Sequence, residues 1–411
     1  MKWTQTMNQH FVADTGTPPF VAPEALIEDP HATFAELRDK HPVIQLGEGY
    51  YMALRAADVF AMLTDPRTTQ IAGADYARLT RIPDGFVTRF LGDFFLFSNG
   101  AAHRSIRGLF ARSFAYRAMR ASQERIRAVA DAIVAELPRG EPFDFVEQMA
   151  ARLPAEMIAA ILGLPKSEVP YFSRHVYDVA KAITPTYPHA QHDQIEAATA
   201  HLFAYVEEHM LARLDAPQSD LLSALVVDWQ ADQVISFGCL VSQVIGIILG
   251  GSDTTRAAFA MLVALLAQHP EAWAAVKADR TRIPGAVAEG MRYEPSVGSI
   301  TRFTTARIEI GNVSLPEGVA LRLSTMSAMR DPELYAEPDR FDISRTDHPR
   351  LHPVFGSGPH RCIGEMLARI EMQEGLDALV SAVSEIELET APRMLGFGGI
   401  RQITPMKVRI R

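Results

Sequence analysis

The feature that most constrains the fold is a very long apolar segment between Ala231 and Gln268. Its residues are hydrophobic on nearly every face of a helix, and the pattern stops at Pro270. A helix that is apolar all round must be buried on all sides, so the segment predicts one long central helix. The most apolar part, Val234 to Leu249, still carries two serines and a glutamine, and we interpret it as a buried helix rather than a membrane span.

The remainder of the chain divides into helical and strand-like patterns. Apolar residues recur at helical spacing through much of Asp58 to Arg213 and again from Ile363 to Val383, whereas Ile308 to Leu323 and the tail alternate like strands. Residues 331–361 show no period. Since no repeat or linker interrupts the 411 residues, we expect one mainly α-helical domain with a small β part, preceded by an extended arm over residues 1–24.

Charge and cysteine content exclude several functions. A formal net charge of −9 disfavours nucleic-acid binding, which needs clustered Lys and Arg. The two cysteines, Cys239 and Cys362, are too few for a cysteine-based zinc or iron–sulfur site and are typical of a reducing compartment. The N-terminus has no apolar run after Lys2. We therefore expect a cytoplasmic, monomeric protein that binds neither nucleic acid nor membranes.

The strongest chemical signal is the run FGSGPHRCIG at residues 355–364. Its glycines allow the backbone to approach a flat ligand closely. Cys362 falls just before a predicted helix, where the helix dipole favours a thiolate, and such a thiolate is a nucleophile or a metal ligand. A lone cysteine is also a common small core residue, so the residues alone leave both interpretations open. For Cys239, inside the apolar helix, the core interpretation is favoured.

This run resembles the haem-binding loop of the cytochrome P450 family, Phe-Gly-x-Gly-x-His-x-Cys-x-Gly, at all six specified positions. The resemblance implies haem b as the cofactor, with Cys362 as the axial thiolate ligand of the iron. Phe355 and Gly364 would then contact the haem, and His360, which alone would be interpreted as a surface histidine, is a candidate donor to a propionate. The implied fold places a long central helix over the haem and the cysteine loop beneath it.

A second signal is the run GGSDTT at residues 250–255, inside the long helix. Two adjacent glycines weaken a helix by about 1 kcal/mol each relative to alanine, and a buried acid adds a desolvation cost. The residues alone allow a kink in which Asp253 faces a polar cavity or an arginine. The run is similar to the oxygen-binding motif of the family, which implies that the helix opens locally above the haem, that Gly250 contacts this cofactor, that Thr254 hydrogen-bonds dioxygen and that Asp253 relays protons.

Glu289 and Arg292 are spaced i, i+3 on one predicted helix. The same spacing occurs elsewhere in the chain, so only its position before the cysteine loop gives it meaning. The pair matches the buried Glu–Arg pair of the family, and the resemblance implies Arg340 as a third member. This trio would be structural and would hold the cysteine loop in place.

Three more basic residues match groups that bind the haem propionates in the family. His103 and Arg107, spaced i, i+4, would by themselves be interpreted as a solvated helix face. Arg302 is the third candidate, because a guanidinium suits a carboxylate through a bidentate contact.

The resemblance places the substrate between the segment before residue 100, the long helix and two β turns. The apolar residues there predict a small apolar or aromatic substrate, although core packing would also explain the phenylalanines. The candidate pocket residues are Phe94, Phe95, Ile245, Leu249, Val297, Ile300 and Phe397. Arg78, Arg81 and Arg89 could meet a substrate carboxylate, but a solvated surface position is the simpler interpretation.

Together these matches imply a soluble bacterial haem-thiolate monooxygenase that inserts one oxygen atom from dioxygen into an organic substrate. The chain has no flavin or iron–sulfur motif, so a ferredoxin with its reductase is the expected electron donor. Its candidate docking patch consists of Arg104, Arg112, Arg361 and Arg369. The alternatives are a peroxide-driven peroxygenase and a non-catalytic haem-binding or docking protein. Retention of Asp253 and Thr254 argues against the first, and the intact Cys362 loop together with this pair argues against the second.

Overall fold

A computed structural model describes residues 16–111, 114, 120, 122–183 and 187–411. Helices make up most of this part of the chain. They are α1 Pro30–Lys40, α2 Ala56–Thr64, α3 Gly73–Leu79, α4 Phe86–Asp93, α5 Gly100–Ala111, α6 Gln123–Glu136, α7 Arg152–Leu162, α8 Val169–Ala180, α9 His192–Asp215, α10 Leu221–Asp232, α11 Phe237–Gln268, α12 Pro270–Ala278, α13 Ile283–Tyr293, α14 Thr325–Ala328 and α15 Glu365–Ala382.

The strands are short and lie mostly in the second half of the chain. They are β1 Val43–Gly47, β2 Tyr50–Ala53, β3 Thr68–Thr69, β4 Phe143–Asp144, β5 Val297–Thr304, β6 Ile308–Ile310, β7 Val313–Leu315, β8 Ala320–Ser324, β9 Ile386–Leu388, β10 Met394–Leu395, β11 Gly399–Ile400, β12 Gln402–Ile403 and β13 Lys407–Ile410. The predicted class, mainly α with a small β part, is therefore confirmed.

Helix α11 forms the centre of the fold. Most residues from Leu240 to Leu266 are buried, and the helix packs against α7, α8, α9, α13 and α15. It begins at Phe237, so the prediction of one helix from Ala231 was wrong at its start. Gln233 ends α10 in the left-handed region, with φ 44°, and the side chain of Ser236 then caps α11 by accepting from the Cys239 amide at 3.1 Å.

The largest sheet forms one wall beside the helices. Its strand order is β1-β2-β8-β5-β11, with β3 on β5. Strands β2 and β8 run parallel, and the other pairs are antiparallel. Strand β5 is central in this sheet, so its residues are held on both sides by neighbouring backbones.

The described part of the predicted N-terminal arm lies against this sheet. Phe20 forms a parallel bridge with Gln45 of β1, and Pro23–Leu26 form one turn of 3₁₀ helix. Residues 1–15 of the predicted arm lie outside the described residues.

Helix α11 is also the one described helix whose length and composition would allow it to cross a membrane. Its most apolar window is 67% buried inside the protein. Core helices commonly pass the same test, and the burial agrees with its interpretation as a core helix.

Candidate functional site

The cysteine loop is held in shape by its own backbone. The Cys362 amide donates to the Phe355 carbonyl at 2.8 Å, and Nη1 of Arg361 donates to the Gly356 carbonyl at 2.8 Å. Gly356 and Gly358 have φ angles of 69° and 67°, which a residue with a Cβ rarely adopts. The fold thus requires these two glycines for the turn that presents Cys362.

The Cys362 thiol faces an internal cavity of about 510 Å³. Burial in the protein raises the pKa of this thiol, while the Gly364 amide and the guanidinium groups of Arg107 and Arg361 oppose the increase. Helix α15 begins only at Glu365, so the helix-terminus effect expected from the sequence is weaker than desolvation. Cys362 and Cys239 are both free thiols.

Helix α11 forms part of the wall of the cavity that Cys362 also lines. Positions 246, 250, 254 and 258 line it, at the four-residue spacing of one helix face. The hydroxyl of Thr254 donates to the Gly250 carbonyl at 2.8 Å. The helix assignment is continuous through this segment, and this side-chain hydrogen bond is made in the part of the helix where the local opening is predicted.

Asp253 does not line the cavity, because it lies on a different face of α11. Its Oδ1 accepts from Nε of Arg256 at 3.0 Å and from Nη2 at 2.5 Å. Arg256 also donates to Gln402 of β12 at 2.5 Å. Of the two interpretations that the residues alone allowed, the carboxylate faces an arginine. The predicted pair is therefore split: Thr254 points into the cavity and Asp253 points away from it.

The predicted propionate-binding residues meet at one edge of the cavity. Arg107, Arg302 and His360 line it, and the ring of His103 lies 4.0 Å from that of His360. Arg107 donates to the Arg361 carbonyl at 2.5 Å, while Arg302 donates to Gln70 Oε1 at 3.0 Å. Among the described residues, neither guanidinium pairs with a carboxylate, and Nε2 of buried His103 has no partner.

Burial controls the charge of these groups. Burial, together with the neighbouring His103, Arg302 and Arg107, lowers the pKa of His360 to about 3. It also lowers the pKa of Arg302 to about 10. At neutral pH this edge therefore carries two guanidinium cations and neutral imidazoles, which suits a ligand with carboxylates.

The predicted pocket residues fall into two groups. Phe94, Phe95, Leu249, Val297 and Ile300 line the cavity. Two predictions were wrong. Ile245 points into the core, because it lies one position before the cavity-lining Gly246. Phe397 packs against the hydrophobic cluster under β1 and β2. Gly399 and Ile400 line the cavity where Phe397 was expected.

The predicted Glu289–Arg292 pair exists, but its third member is different. Arg292 binds both carboxylate oxygens of Glu289, at 2.6 and 2.8 Å, and both side chains are fully buried. Arg345 supplies the third side chain, with Nε 3.2 Å from Glu289 Oε1. Arg340 was the wrong choice, because its side chain is 61% exposed and pairs with Glu337. It contributes only its carbonyl, which accepts from Arg292.

The trio stabilises the irregular segment that precedes the cysteine loop. Arg292 also donates to the carbonyls of Met329 and Pro338, at 3.0 and 2.6 Å. Arg345 donates to the Ala336 carbonyl at 2.6 Å. Backbone carbonyls in this segment lack strand partners, and the two buried guanidinium groups satisfy them instead.

Two cavity residues escaped the sequence analysis. Glu371 on α15 is fully buried with no described partner for either carboxylate oxygen, and burial raises its pKa well above the usual range. Arg322 on β8 is buried, and its described partners include no carboxylate. No local pattern marks either residue, since each acquires its surroundings from elements that are distant in sequence.

These residues fit haem b. A soft thiolate ligand faces the cavity, the glycines of the loop allow close backbone approach, and unpaired cations lie where carboxylates of a macrocycle would reach them. The fold and site therefore define a haem-thiolate protein, in which Cys362 would ligate the iron and Arg107, Arg302 and His103 would hold the propionates.

Comparison with known proteins identifies the family. Residues 29–392 match the family model described as Cytochrome P450, and the chain belongs to this family. It is thus an oxidoreductase of the monooxygenase type with haem b as its cofactor, as the sequence predicted.

Relatives cover almost the whole chain. Plant-inducible cytochrome P450-pinF1 of Rhizobium radiobacter is 36% identical over 381 residues, which cover 92% of this chain and 90% of the relative. Nocardicin C N-oxygenase of Nocardia uniformis subsp. tsuyamanensis is 32% identical over 390 residues, covering 93% and 94%. The crystal structure of CalO2 superposes with a TM-score of 0.87 at 26% identity, covering 97% of this chain and 99% of that one.

Proposed function

We propose that this P450 inserts one oxygen atom from dioxygen into a small, mainly apolar organic molecule at a haem bound by Cys362. The observation that carries the proposal is that Cys362 and Thr254 line one and the same cavity, whose remaining lining is largely apolar. Bound haem supplies reductive activation of dioxygen, and the thiolate ligand favours cleavage of the O–O bond. The relative named Nocardicin C N-oxygenase supports oxygen insertion as the reaction type.

The chain contributes protons and orientation. The Thr254 hydroxyl is a polar group of α11 that lines the cavity, and the neighbouring Asp253 carboxylate is directed at Arg256 and Gln402. We assign Asp253 as the group that exchanges protons with the protein exterior, and Thr254 Oγ1 as the group that delivers them to the cavity. Transfer between them requires rotation of the Asp253 carboxylate or an intervening water.

The cavity wall determines which molecules enter. Phe94 and Phe95 contact each other edge to face, with ring centroids 5.0 Å apart, and Leu249, Val297 and Ile300 complete the apolar lining. Such a wall binds through burial of apolar surface, so shape and hydrophobicity govern affinity over most of the cavity.

Electrons are proposed to come from a ferredoxin and its reductase. Arg104 is exposed on α5, next to His103. Arg361 and Arg369 both pair with Glu365, at 2.5 and 3.2 Å, so their charge is partly compensated. Arg112 lies outside the described residues. Arg104 is thus the main described contributor, and Arg104→Glu should slow ferredoxin-dependent reduction at low salt, with Arg78→Glu on α3 as the control.

The ligand assignment is tested by the spectrum of the reduced, CO-bound holoenzyme. We expect the red-shifted Soret band of thiolate ligation, its loss in Cys362→Ser and its retention in Cys239→Ser. A normal band in Cys362→Ser would contradict the assignment of this cysteine.

The reaction is tested with isotopes. A compound that shifts the ferric Soret band is incubated with NADH, ferredoxin, reductase and ¹⁸O₂, and we expect one ¹⁸O atom in the product. Product formed with hydrogen peroxide but not with dioxygen would favour the peroxygenase. Absence of any spectral shift and of any product, in haem-replete protein, would favour a non-catalytic role.

A further inference from the structure

A buried arginine lies at the end of the cavity formed by the large sheet. Arg322 on β8 is 3% exposed. Its guanidinium donates to Ser299 Oγ at 2.6 Å and to the hydroxyl of Tyr50, and it lies 5.4 Å from the centre of the Tyr50 ring. No carboxylate of the described residues pairs with it. Arg322, Tyr50 and Ser299 all line the cavity.

This arrangement leaves a positive charge without a negative partner. Other strongly buried arginines of the protein, such as Arg292 and Arg401, bind a carboxylate at 2.6 Å. Burying a guanidinium is costly unless an opposite charge or a full set of hydrogen bonds compensates it, and two hydroxyls provide only part of that set. The same hydroxyls can donate to an anion, so the three groups together form a complete carboxylate-binding set.

Arg322 is separate from the residues assigned to the haem propionates. In the pairing of β5 with β8, Thr301 lies opposite Arg322 and Arg302 lies opposite Leu321. Because successive residues of a strand point to opposite faces, Arg302 and Arg322 leave the sheet on opposite sides. Arg302 accordingly contacts Gln70, whereas Arg322 contacts Tyr50 and Ser299.

Arg322 lies near helix α3, which also lines the cavity. Burial raises the pKa of Tyr76 on α3 to about 12, and the charge of Arg322 is the main influence that opposes this increase. Leu79, on the same helix as Tyr76, lines the cavity and is 62% exposed. The backbone also leaves room for the guanidinium, since a Cβ on Gly398 would come 2.1 Å from Nη1 of Arg322.

We propose that the substrate carries a carboxylate, which Arg322 binds together with the hydroxyls of Tyr50 and Ser299, while its apolar body extends along the cavity towards Cys362. This inference rests on the proposed function and adds an anionic group to the apolar substrate class. Arg78, Arg81 and Arg89 are exposed and are not needed for it, because Arg322 is a cavity-lining cation that is not assigned to the haem propionates.

The test compares acids with neutral molecules of the same shape. Ferric holoenzyme is titrated with dodecanoic acid, 4-phenylbutanoic acid and 4-phenylbenzoic acid, and with the primary amide of each. Affinity is followed by the Soret shift and, independently of the haem, by calorimetry. We expect at least one acid to bind at least tenfold more tightly than its amide.

Variants assign the preference to the arginine. In Arg322→Gln the advantage of acid over amide should disappear, while affinity for the amide changes less than twofold. Tyr50→Phe should reduce the advantage severalfold and provides a milder substitution should Arg322→Gln fold poorly. Arg78→Gln, an exposed arginine on α3, serves as the matched control and should keep the full preference.

Specific outcomes would overturn the inference. These are equal binding of every acid and its amide, absence of acid binding across the panel, or an unchanged preference in both Arg322→Gln and Tyr50→Phe. Loss of haem from Arg322→Gln with the preference intact would assign Arg322 to a haem propionate instead. Failure of the proposed function gives a different result from failure of this inference. The thiolate CO band or the ¹⁸O product would then be absent, while the affinities for acid and amide would still differ.

Discussion

Arg256 holds the carboxylate of Asp253 away from the cavity, with Nε and Nη2 at 3.0 and 2.5 Å from Oδ1. The two residues lie one turn apart on α11, and both are buried. Gln402 Oε1 accepts from the same guanidinium at 2.5 Å, and the ring of Tyr177 lies 5.0 Å below it. Arg256 therefore fixes the orientation of the acid that we assign to proton exchange.

Asp253→Asn should lower the rate of product formation on the order of 100-fold, because the amide cannot exchange protons as an acid does. Substrate affinity, measured by the Soret shift, should stay within about twofold, since Asp253 does not line the cavity. The solvent isotope effect on turnover should increase.

Arg256→Gln provides the comparison for Asp253→Asn. It should lower stability, because it leaves a buried carboxylate without its cation, but reduce turnover less than Asp253→Asn. Equal turnover losses in the two variants, with no change in the isotope effect, would mean that Asp253 has only a structural role.

Arg345→Leu should lower the free energy of unfolding by about 1 to 3 kcal/mol, since it removes the second cation from a buried carboxylate that Arg292 still pairs and leaves buried backbone carbonyls unsatisfied. Arg345 contacts Glu289 at 3.2 Å and its side chain is 6% exposed. Urea denaturation of the holoenzyme, with haem release followed in parallel, measures the effect.

Arg340→Leu is the matched control for the trio. The side chain of Arg340 is exposed and pairs only with surface acids, so we expect a change within about 0.5 kcal/mol. If Arg340→Leu lowered the free energy of unfolding more than Arg345→Leu, Arg340 would be the third member of the structural trio.

Local sequence was sufficient for the parts of the site that one segment builds. The cysteine loop depends on glycines and a cysteine within ten positions, and the α11 wall depends on the spacing of Gly250 and Thr254 along one helix. Both are short-range geometries, in which residue type and spacing fix the arrangement.

Long-range pairing explains the errors. Arg340 and Arg345 lie in the same irregular segment, and only its tertiary path decides which of them reaches Glu289. Arg322 faces the cavity because β8 pairs with β5 in a particular register, which no periodicity within β8 reveals. The direction of Asp253 depends on Arg256 and on Gln402, a residue of a distant strand.

Glu371→Gln should stabilise the protein increasingly as the pH rises from 5 to 8. Burial raises the pKa of Glu371 well above the usual range, and no described group pairs with its carboxylate. Above the ordinary pKa of a glutamate, the unfolded chain releases the Glu371 proton while the folded protein keeps it. The free energy of unfolding of the wild type therefore decreases as the pH increases. This decrease in the free energy of unfolding amounts to at most about 1.4 kcal/mol for each pH unit.

Thermal denaturation of wild type and Glu371→Gln at several pH values measures this difference. Glu333→Gln, at an exposed position before Leu334, is the control and should give a difference that does not vary with pH. A constant difference between Glu371→Gln and wild type from pH 5 to 8 would show that the carboxylate has a partner or is already ionised.

Gly246 and Gly250, two of the glycines of α11 that line the cavity, should respond differently to alanine. A Cβ at Gly246 would come 2.1 Å from Cε2 of Phe94, whereas a Cβ at Gly250 would meet nothing within 4 Å. Gly246→Ala must displace Phe94 into the cavity or away from the helix, at a cost of about 1 to 3 kcal/mol. Gly250→Ala meets no protein atom and improves helix propensity, which is worth up to about 1 kcal/mol.

Thermal denaturation of the holoenzyme separates the two glycines, and a third substitution identifies the cause. Phe94→Leu removes the ring that the new methyl group would contact. The loss of unfolding free energy caused by Gly246→Ala should therefore be at least about 0.5 kcal/mol smaller in the Phe94→Leu background. An interaction energy of this size is typical of residues in contact. Additive losses would mean that Phe94 does not set the requirement for glycine at position 246. Ligand titrations should show the same dependence. Gly246→Ala should lower the affinity for bulky ligands, and Phe94→Leu in the same protein should restore it, because both residues form part of the cavity wall.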